Sequence, residues 1–367
     1  MPSQFSPRRK AWFAAALATS LLAGPALAQS PMSATAPPPK FPAMPAASGT
    51  RPAADMQAVL DAQASLGGKP VELLTPAQAR LQPSPTDGVK TVLMKQGKST
   101  VPDPAVVTRE LPYGAHPQQV ARIYMPAVKP SSAMPVIVYY HGGGWVIADL
   151  DTYDSTPRFL AKQLGAIVVS VEYRHAPEAK FPAQHEDALA AYKWTLAKAR
   201  GWGGDPARLA IAGESAGGNL AVATAIAARD RRLTAPRHIL AVYPIANSSG
   251  ALPSRTDSGA AKPLNTPMLK WFSHYWAKSK ADAQDPRINL VKANLRGLPP
   301  VTIVNAQIDP LRSDGETLAV ALRAAKVSVE QRTFNGVTHE FFGMGAVVRG
   351  AKEAELYAAD RLKSAMR

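Results

Sequence analysis

The chain has 367 residues, 46% of them hydrophobic, with 25 glycines, 34 prolines and no cysteine. That length suffices for one large α/β core with a lid, with two small domains the less favoured alternative, and the lack of cysteine excludes disulfides and thiol-linked lipid, so stability rests on packing. The formal net charge of +15 comes from lysines and arginines scattered singly, with no basic run interleaved with aromatics; this argues for a solvated basic surface and against a nucleic-acid partner.

Residues 1–28 read as a secretory signal peptide. Arg8, Arg9 and Lys10 form its positive start, Ala11 to Ala23 its apolar run, and Ala26-Leu27-Ala28 a small-x-small cleavage site. The apolar run is shorter than the roughly 20 residues that cross a bilayer, so no stable membrane anchor is expected. Lys10-Ala11-Trp12 fits a twin-arginine signal poorly, which favours the general secretory route. Cleavage near Ala28 leaves an exported protein, periplasmic or secreted, and loss of the three basic residues takes the charge from +15 to +12. Residues 29–52, rich in alanine and proline and including Pro37-Pro38-Pro39, read as a linker.

The folded domain is expected over 53–367. Met56, Val59, Leu60 and Leu66 have helical spacing ended by Gly67-Gly68, and Thr75-Pro76 opens a second short helix. Short strands follow at Val120 to Tyr124 and Val136 to Tyr140, the latter running into His141-Gly142-Gly143-Gly144-Trp145. Three successive glycines free backbone N–H groups from any Cβ, which is what an oxyanion needs. Phe159 to Leu164 is a helix, Ala166 to Val171 a buried strand and Gln184 to Ala199 an amphipathic helix. Tyr173 to Glu178 reads as a packed loop with a structural role. Strand, sharp turn and helix occupy Arg208 to Ala228, and His238 to Val242 is the next strand. This alternation predicts a mainly parallel sheet covered by helices.

Residues 247–285 interrupt the rhythm. Trp271, Phe272, Tyr275 and Trp276 crowd one short helix, and an insertion after a strand's C-terminal end lies over the active face of such a sheet. Together with 53–85 it is expected to form a helical cap, with Trp145, Trp271 and Phe272 narrowing a pocket for small acyl groups. Val301 to Val304 is then a strand leading to Asp309, Glu316 to Ala325 a helix, Val327 to Phe334 the last strand, and Ala351 to Met366 the closing helix.

Gly213-Glu214-Ser215-Ala216-Gly217 is a G-x-S-x-G turn between strand and helix, tight enough to need glycine at 213 and 217 while the serine projects from its apex. A serine hydroxyl attacks well only when a base removes its proton and a third group holds that base in the right tautomer. Asp309 and His339 each follow a strand, and the order Ser, Asp, His is that of the α/β-hydrolase arrangement.

His141 to Gly144, Tyr173-Arg174-His175-Ala176-Pro177-Glu178, Gly213 to Asn219, Asp309-Pro310-Leu311-Arg312 and Gly336-Val337-Thr338-His339 together resemble the motifs of the hormone-sensitive-lipase-like esterases, also called bacterial family IV, from about Met56 to the C-terminus. The resemblance implies an α/β-hydrolase fold, with a mainly parallel eight-stranded sheet under a helical cap. It implies hydrolysis of small, short-acyl esters without metal or cofactor. By position, Ser215 is the nucleophile, His339 the general base and acid, and Asp309 its orienter; Gly143, Gly144 and Ala216 supply the oxyanion hole, and His141 anchors its loop. Glu214 stands where aspartate is commoner and Glu340 where glycine is, and Asp314 is the fallback acid. An amidase, carbamate hydrolase or lactonase would use the same residues. A non-catalytic binder on this fold would lack the histidine, which is present here. Oligomeric state is left open.

Overall fold

The computed structural model describes residues 50–367; the expected signal peptide, and the expected linker up to residue 49, lie outside the described residues. Three helices lead: α1 (Ala54–Ala64), α2 (Pro76–Ala79) and α3 (Pro85–Lys95). Thr75 and Ser84 each close a capping box at the start of α2 and α3, with proline in the first turn, so both helices begin where their orphan N–H groups find partners.

Strands β1 (Val106–Pro112), β2 (Val120–Pro126) and β3 (Met134–Tyr140) come next, then α4 (Ser155–Leu164), β4 (Ile167–Val171), α5 (Ala183–Lys198), β5 (Gly204–Glu214), α6 (Ala216–Asp230) and β6 (Ile239–Val242). The insertion carries α7 (Ser254–Asp257) and α8 (Thr266–Trp276), the latter capped by Asn265, whose side chain accepts from the Met268 amide at 2.7 Å. β7 (Val301–Ile308), α9 (Arg312–Ala324), β8 (Val329–Thr338) and α10 (Arg349–Ala365) complete the chain.

The eight strands lie in the order β1-β2-β4-β3-β5-β6-β7-β8. β2 runs antiparallel to both neighbours and every other pairing is parallel. Parallel strands joined through helices bury both faces, which is why β3, β4 and β5 read as continuous apolar runs. Successive side chains still part to opposite faces. Val136, Val138 and Tyr140 pack with Tyr192 of α5, Leu220 of α6 and Leu318 of α9. Ile137 and Tyr139 pack on the other face with Leu160 of α4 and Leu362 of α10.

Two elements carry no clear apolar period. β1 is an edge strand whose residues, apart from Val106 and Leu111, are exposed, and only two residues of α3, Gly88 and Val92, are buried. They are recognised by what they pair with: Val106 to Pro112 run against Pro126 to Val120 in continuous register.

Candidate active site

The C-terminal ends of β3, β5, β7 and β8 point the same way and carry the glycine loop, Ser215, Asp309 and His339 respectively. Loops at that edge are where an α/β sheet assembles a site.

Ser215 sits at φ 57° and ψ −116°, a conformation L-residues avoid, and the surroundings impose it. Its N–H donates to the Val242 carbonyl at 2.9 Å, and its own carbonyl accepts from Asn219 and Ile245. A Cβ on Gly213 would be driven into the Gly217 carbonyl, and one on Gly217 into the Tyr140 carbonyl, so strand, turn and helix pack with no room for a side chain at either position. Asn219, one turn on, ties the new helix down: its amide donates to the carbonyls of Ile245 at 2.9 Å and Ile288 at 3.0 Å, and its oxygen meets His185 Nε2 at 2.9 Å.

His339 Nε2 lies 3.0 Å from Ser215 Oγ, and His339 Nδ1 lies 2.7 Å from Asp309 Oδ2. All three side chains are buried. Asp309 Oδ1 accepts from the Leu311 amide at 2.7 Å, so both carboxylate oxygens are engaged and the group cannot swing. Burial disfavours the charged form of His339, but Asp309, with Glu340 and Glu214 behind it, outweighs burial and raises the histidine above its ordinary pKa. Asp314, the fallback acid, faces elsewhere: it pairs with Arg255 at 2.7 Å and accepts from the amides of Ala246 and Asn247.

The glycine loop is held from below. The Tyr173 hydroxyl lies 2.9 Å from the His141 carbonyl and 3.0 Å from that of Gly142. Gly143 and Gly144 have φ of +89° and +59°, in the left-handed region that glycine enters without strain. Among the described residues, neither of their amides donates to a protein acceptor. Ala216 is the first residue of α6, whose amide has no carbonyl one turn back to bond. Amides of this kind are what a developing oxyanion at a serine needs.

Two glutamates, Glu214 and Glu340, stand beside the triad. Burial pushes Glu214 up to about 7, against the hydroxyls of Tyr139, at 2.6 Å, and Tyr243, which donate to it. Burial also raises Glu340, opposed by the nearby His339 and by the Tyr153 hydroxyl at 2.6 Å; its Oε1 lies 3.7 Å from His339 Nε2. Tyr153, which seats Glu340, escaped sequence reading, since nothing local marks a tyrosine that meets a residue 187 positions away.

A cavity of about 640 Å³ opens onto Ser215, His339, Gly143 and Gly144. Gln63, Val71, Ala79 and Arg80 line it from the N-terminal helices, and Leu264, Met268, Leu269 and Phe272 from the insertion. Of the three aromatics expected to narrow the pocket, Phe272 alone does so, its ring lying where a Cβ of Gly144 would go. Trp145 and Trp271 do not line the cavity as expected. Trp145 is buried behind the loop against Trp276, ring centroids 5.3 Å apart. Trp271 turns inward to donate its indole N–H to the Leu74 carbonyl at 2.9 Å, pinning α8 to the N-terminal segment. The Tyr173 to Glu178 loop is bound into the fold: Arg174 pairs with Asp187 at 2.6 Å and Glu178 with Arg80 at 2.7 Å.

A family model described as the alpha/beta hydrolase fold matches residues 137–343, a span containing Ser215, Asp309 and His339. Carboxylesterase NlhH of Mycobacterium tuberculosis is 36% identical over 277 residues, 74% of this chain and 86% of that protein. Ethyl acetate hydrolase of Pseudomonas putida is 36% identical over 246 residues, 66% of this chain and 77% of that one. Among solved structures, a thermostable esterase from Pseudomonas putida ECU1011 superposes with a TM-score of 0.77 at 31% identity, covering 87% of this chain and 99% of that chain.

Proposed function

The chain belongs to the hormone-sensitive-lipase-like esterases of the α/β-hydrolase fold, and we propose that Ser215, His339 and Asp309 carry its ester cleavage, with a preference for short acyl groups. It is a carboxylesterase-type hydrolase whose relatives include an enzyme named for ethyl acetate and one named acetyl esterase. The observation that carries the residue assignment is the relay of 2.7 and 3.0 Å from Asp309 through His339 to a serine at the cavity wall.

In the acylation step His339 Nε2 takes the Ser215 proton as Oγ attacks the ester carbonyl. The carbonyl oxygen becomes an oxyanion on the amides of Gly143, Gly144 and Ala216, a contribution of about 10²- to 10³-fold in turnover. Asp309 holds the Nδ1–H tautomer and stabilises the imidazolium. His339 returns the proton to the leaving alcohol. Water, deprotonated by the same Nε2, then attacks the acyl-enzyme and releases the acid.

His339 must be neutral to act as base, and its pKa is held above the usual 6.5. kcat/KM is therefore full above that pKa and falls about tenfold per pH unit below it. A pH profile measured with chemistry rate-limiting checks this, and a flat rate from about pH 5 to 8 would remove His339 from the role.

Phe272 over Gly144 limits the acyl side of the cavity. A series of nitrophenyl esters from acetyl to palmitoyl is expected to peak at short chains, and Phe272→Ala to move the optimum to longer ones. An unchanged chain-length profile in the variant would place the acyl group elsewhere.

Export through the general secretory route belongs to the same proposal, supported by the basic, apolar and small-x-small order of residues 1–28. Among the described residues, no helix is long and apolar enough to cross a membrane.

A further inference from the structure

We propose that His141, Glu172 and His175 form a binding site for one divalent transition-metal ion of the zinc type, set in the cavity wall beneath the glycine loop. The ion takes no part in the acyl transfer described above, and the proposal does not depend on it.

Strand register brings the three residues together. β3 and β4 are parallel neighbours with Tyr140 opposite Val171, so the residues that leave the two strands next, His141 and Glu172, emerge side by side. His175 returns to the same place three residues later. One donor atom from each residue lies within 4.8 Å of the other two. His141 Nε2 is 3.6 Å from Glu172 Oε2, and His175 Nε2 is 3.1 Å from Glu172 Oε1. Donors about 2.0–2.1 Å from a tetrahedral zinc stand about 3.3–3.4 Å apart, close to these two separations, which run to different oxygens of the one carboxylate.

The donor state favours a cation over a closed hydrogen-bond network. His141 is fully buried, and its Nδ1, 2.9 Å from the Gly142 carbonyl, donates there. That leaves the Nε2 lone pair directed at a carboxylate, two acceptors facing one another. Nε2 of His141 and Nε2 of His175, the latter residue 5% exposed, both lack a hydrogen-bond partner. Such groups are costly to bury unless something positive lies between them. A proton on His141 and the Nε2–H tautomer of His175 would each answer for one nitrogen; a single metal ion answers for both and for the carboxylate.

The supporting contacts are those of a ligand set. The backbone carbonyl on His141 Nδ1 orients its ring, and the Leu150 amide, 3.2 Å from Glu172 Oε2, holds the carboxylate. Two imidazoles and one carboxylate suit zinc and its neighbours, and Glu172 and His175 face the cavity, which supplies an entry path and room for a water as fourth ligand. Occupancy would tie the start of the glycine loop to the segment after β4.

The test uses the intact enzyme, stripped with a chelator and titrated with Zn²⁺ alone in a non-coordinating buffer, by calorimetry and by thermal unfolding. Wild type is expected to take up one ion per chain and to unfold several degrees higher with zinc. His175→Leu and Glu172→Gln are each expected to bind at least about tenfold more weakly, while His339→Ala binds like wild type, which separates this site from capture at His339. Folding of each variant is read from its own zinc-free unfolding transition, and either variant alone decides the assignment. No uptake by wild type would overturn the proposal and leave a protonated His141 paired with Glu172. Affinity unchanged in a folded variant would overturn it equally, assigning the zinc to other histidines.

Discussion

Ser215→Ala is expected to lower kcat on a nitrophenyl acetate by about 10⁶-fold while the protein remains folded. The size follows from what is lost. Without Oγ there is no covalent acyl-enzyme, and only the oxyanion amides and binding are left to help a water attack directly. The protein tolerates the change because the strained φ of 57° is enforced by backbone bonds to Val242, Asn219 and Ile245, none of which involves the hydroxyl. The hydroxyl's own partner is His339, so the stability change should stay within about 1 kcal/mol. Because nucleophile and base act as a unit, adding His339→Ala to Ser215→Ala should cost little more. Labelling with an organophosphate gives a second readout: wild type acquires one adduct at Ser215 and the variant none. Near-normal turnover in Ser215→Ala would end the serine-hydrolase assignment of this residue.

Asp309→Asn is expected to cost about 10⁴-fold in kcat with little change in KM. Asp309 Oδ1 accepts the Leu311 N–H at 2.7 Å, and an asparagine keeps that bond only by placing its oxygen there. Its NH₂ then faces His339 Nδ1, where the carboxylate Oδ2 had accepted at 2.7 Å. A donor opposite Nδ1 forces the proton onto Nε2, and Nε2 can no longer take the proton of Ser215 3.0 Å away. The same substitution removes the main charge that raises the His339 pKa against burial, so any residual activity should keep its acid limb at lower pH. Asp314 cannot stand in, being committed to Arg255 and to two backbone amides. A loss smaller than about tenfold would mean that Asp309 does not set the tautomer.

Much of this site was legible in the chain because its chemistry is local. Glycines at 213 and 217 mark a turn with no space for Cβ, three glycines after an apolar strand mark exposed amides, and the apolar runs of β3, β4 and β5 mark strands buried on both sides. The order of Ser215, Asp309 and His339, each past a strand, could be read without coordinates because parallel strands put all their C-terminal ends on one edge. Elements without periodic burial were hidden. β1 exposes most of its side chains at the sheet edge, and α3 buries only two residues, so neither prints an apolar period.

What lay beyond reading depends on which strands become neighbours and where a loop returns. Trp145, Trp271 and Phe272 are equally apolar, yet one packs behind the loop, one pins a helix and one faces the cavity, because a ring's direction is set by the surfaces around it. Tyr153 meets Glu340, and His141 meets Glu172 and His175, only after the sheet has assembled. Sequence by itself determined the chemistry available, through residue types and the local geometry of turns and strands. Tertiary structure alone decided which of those groups share a dielectric, a proton or a cavity, since such contacts join residues that the chain holds far apart.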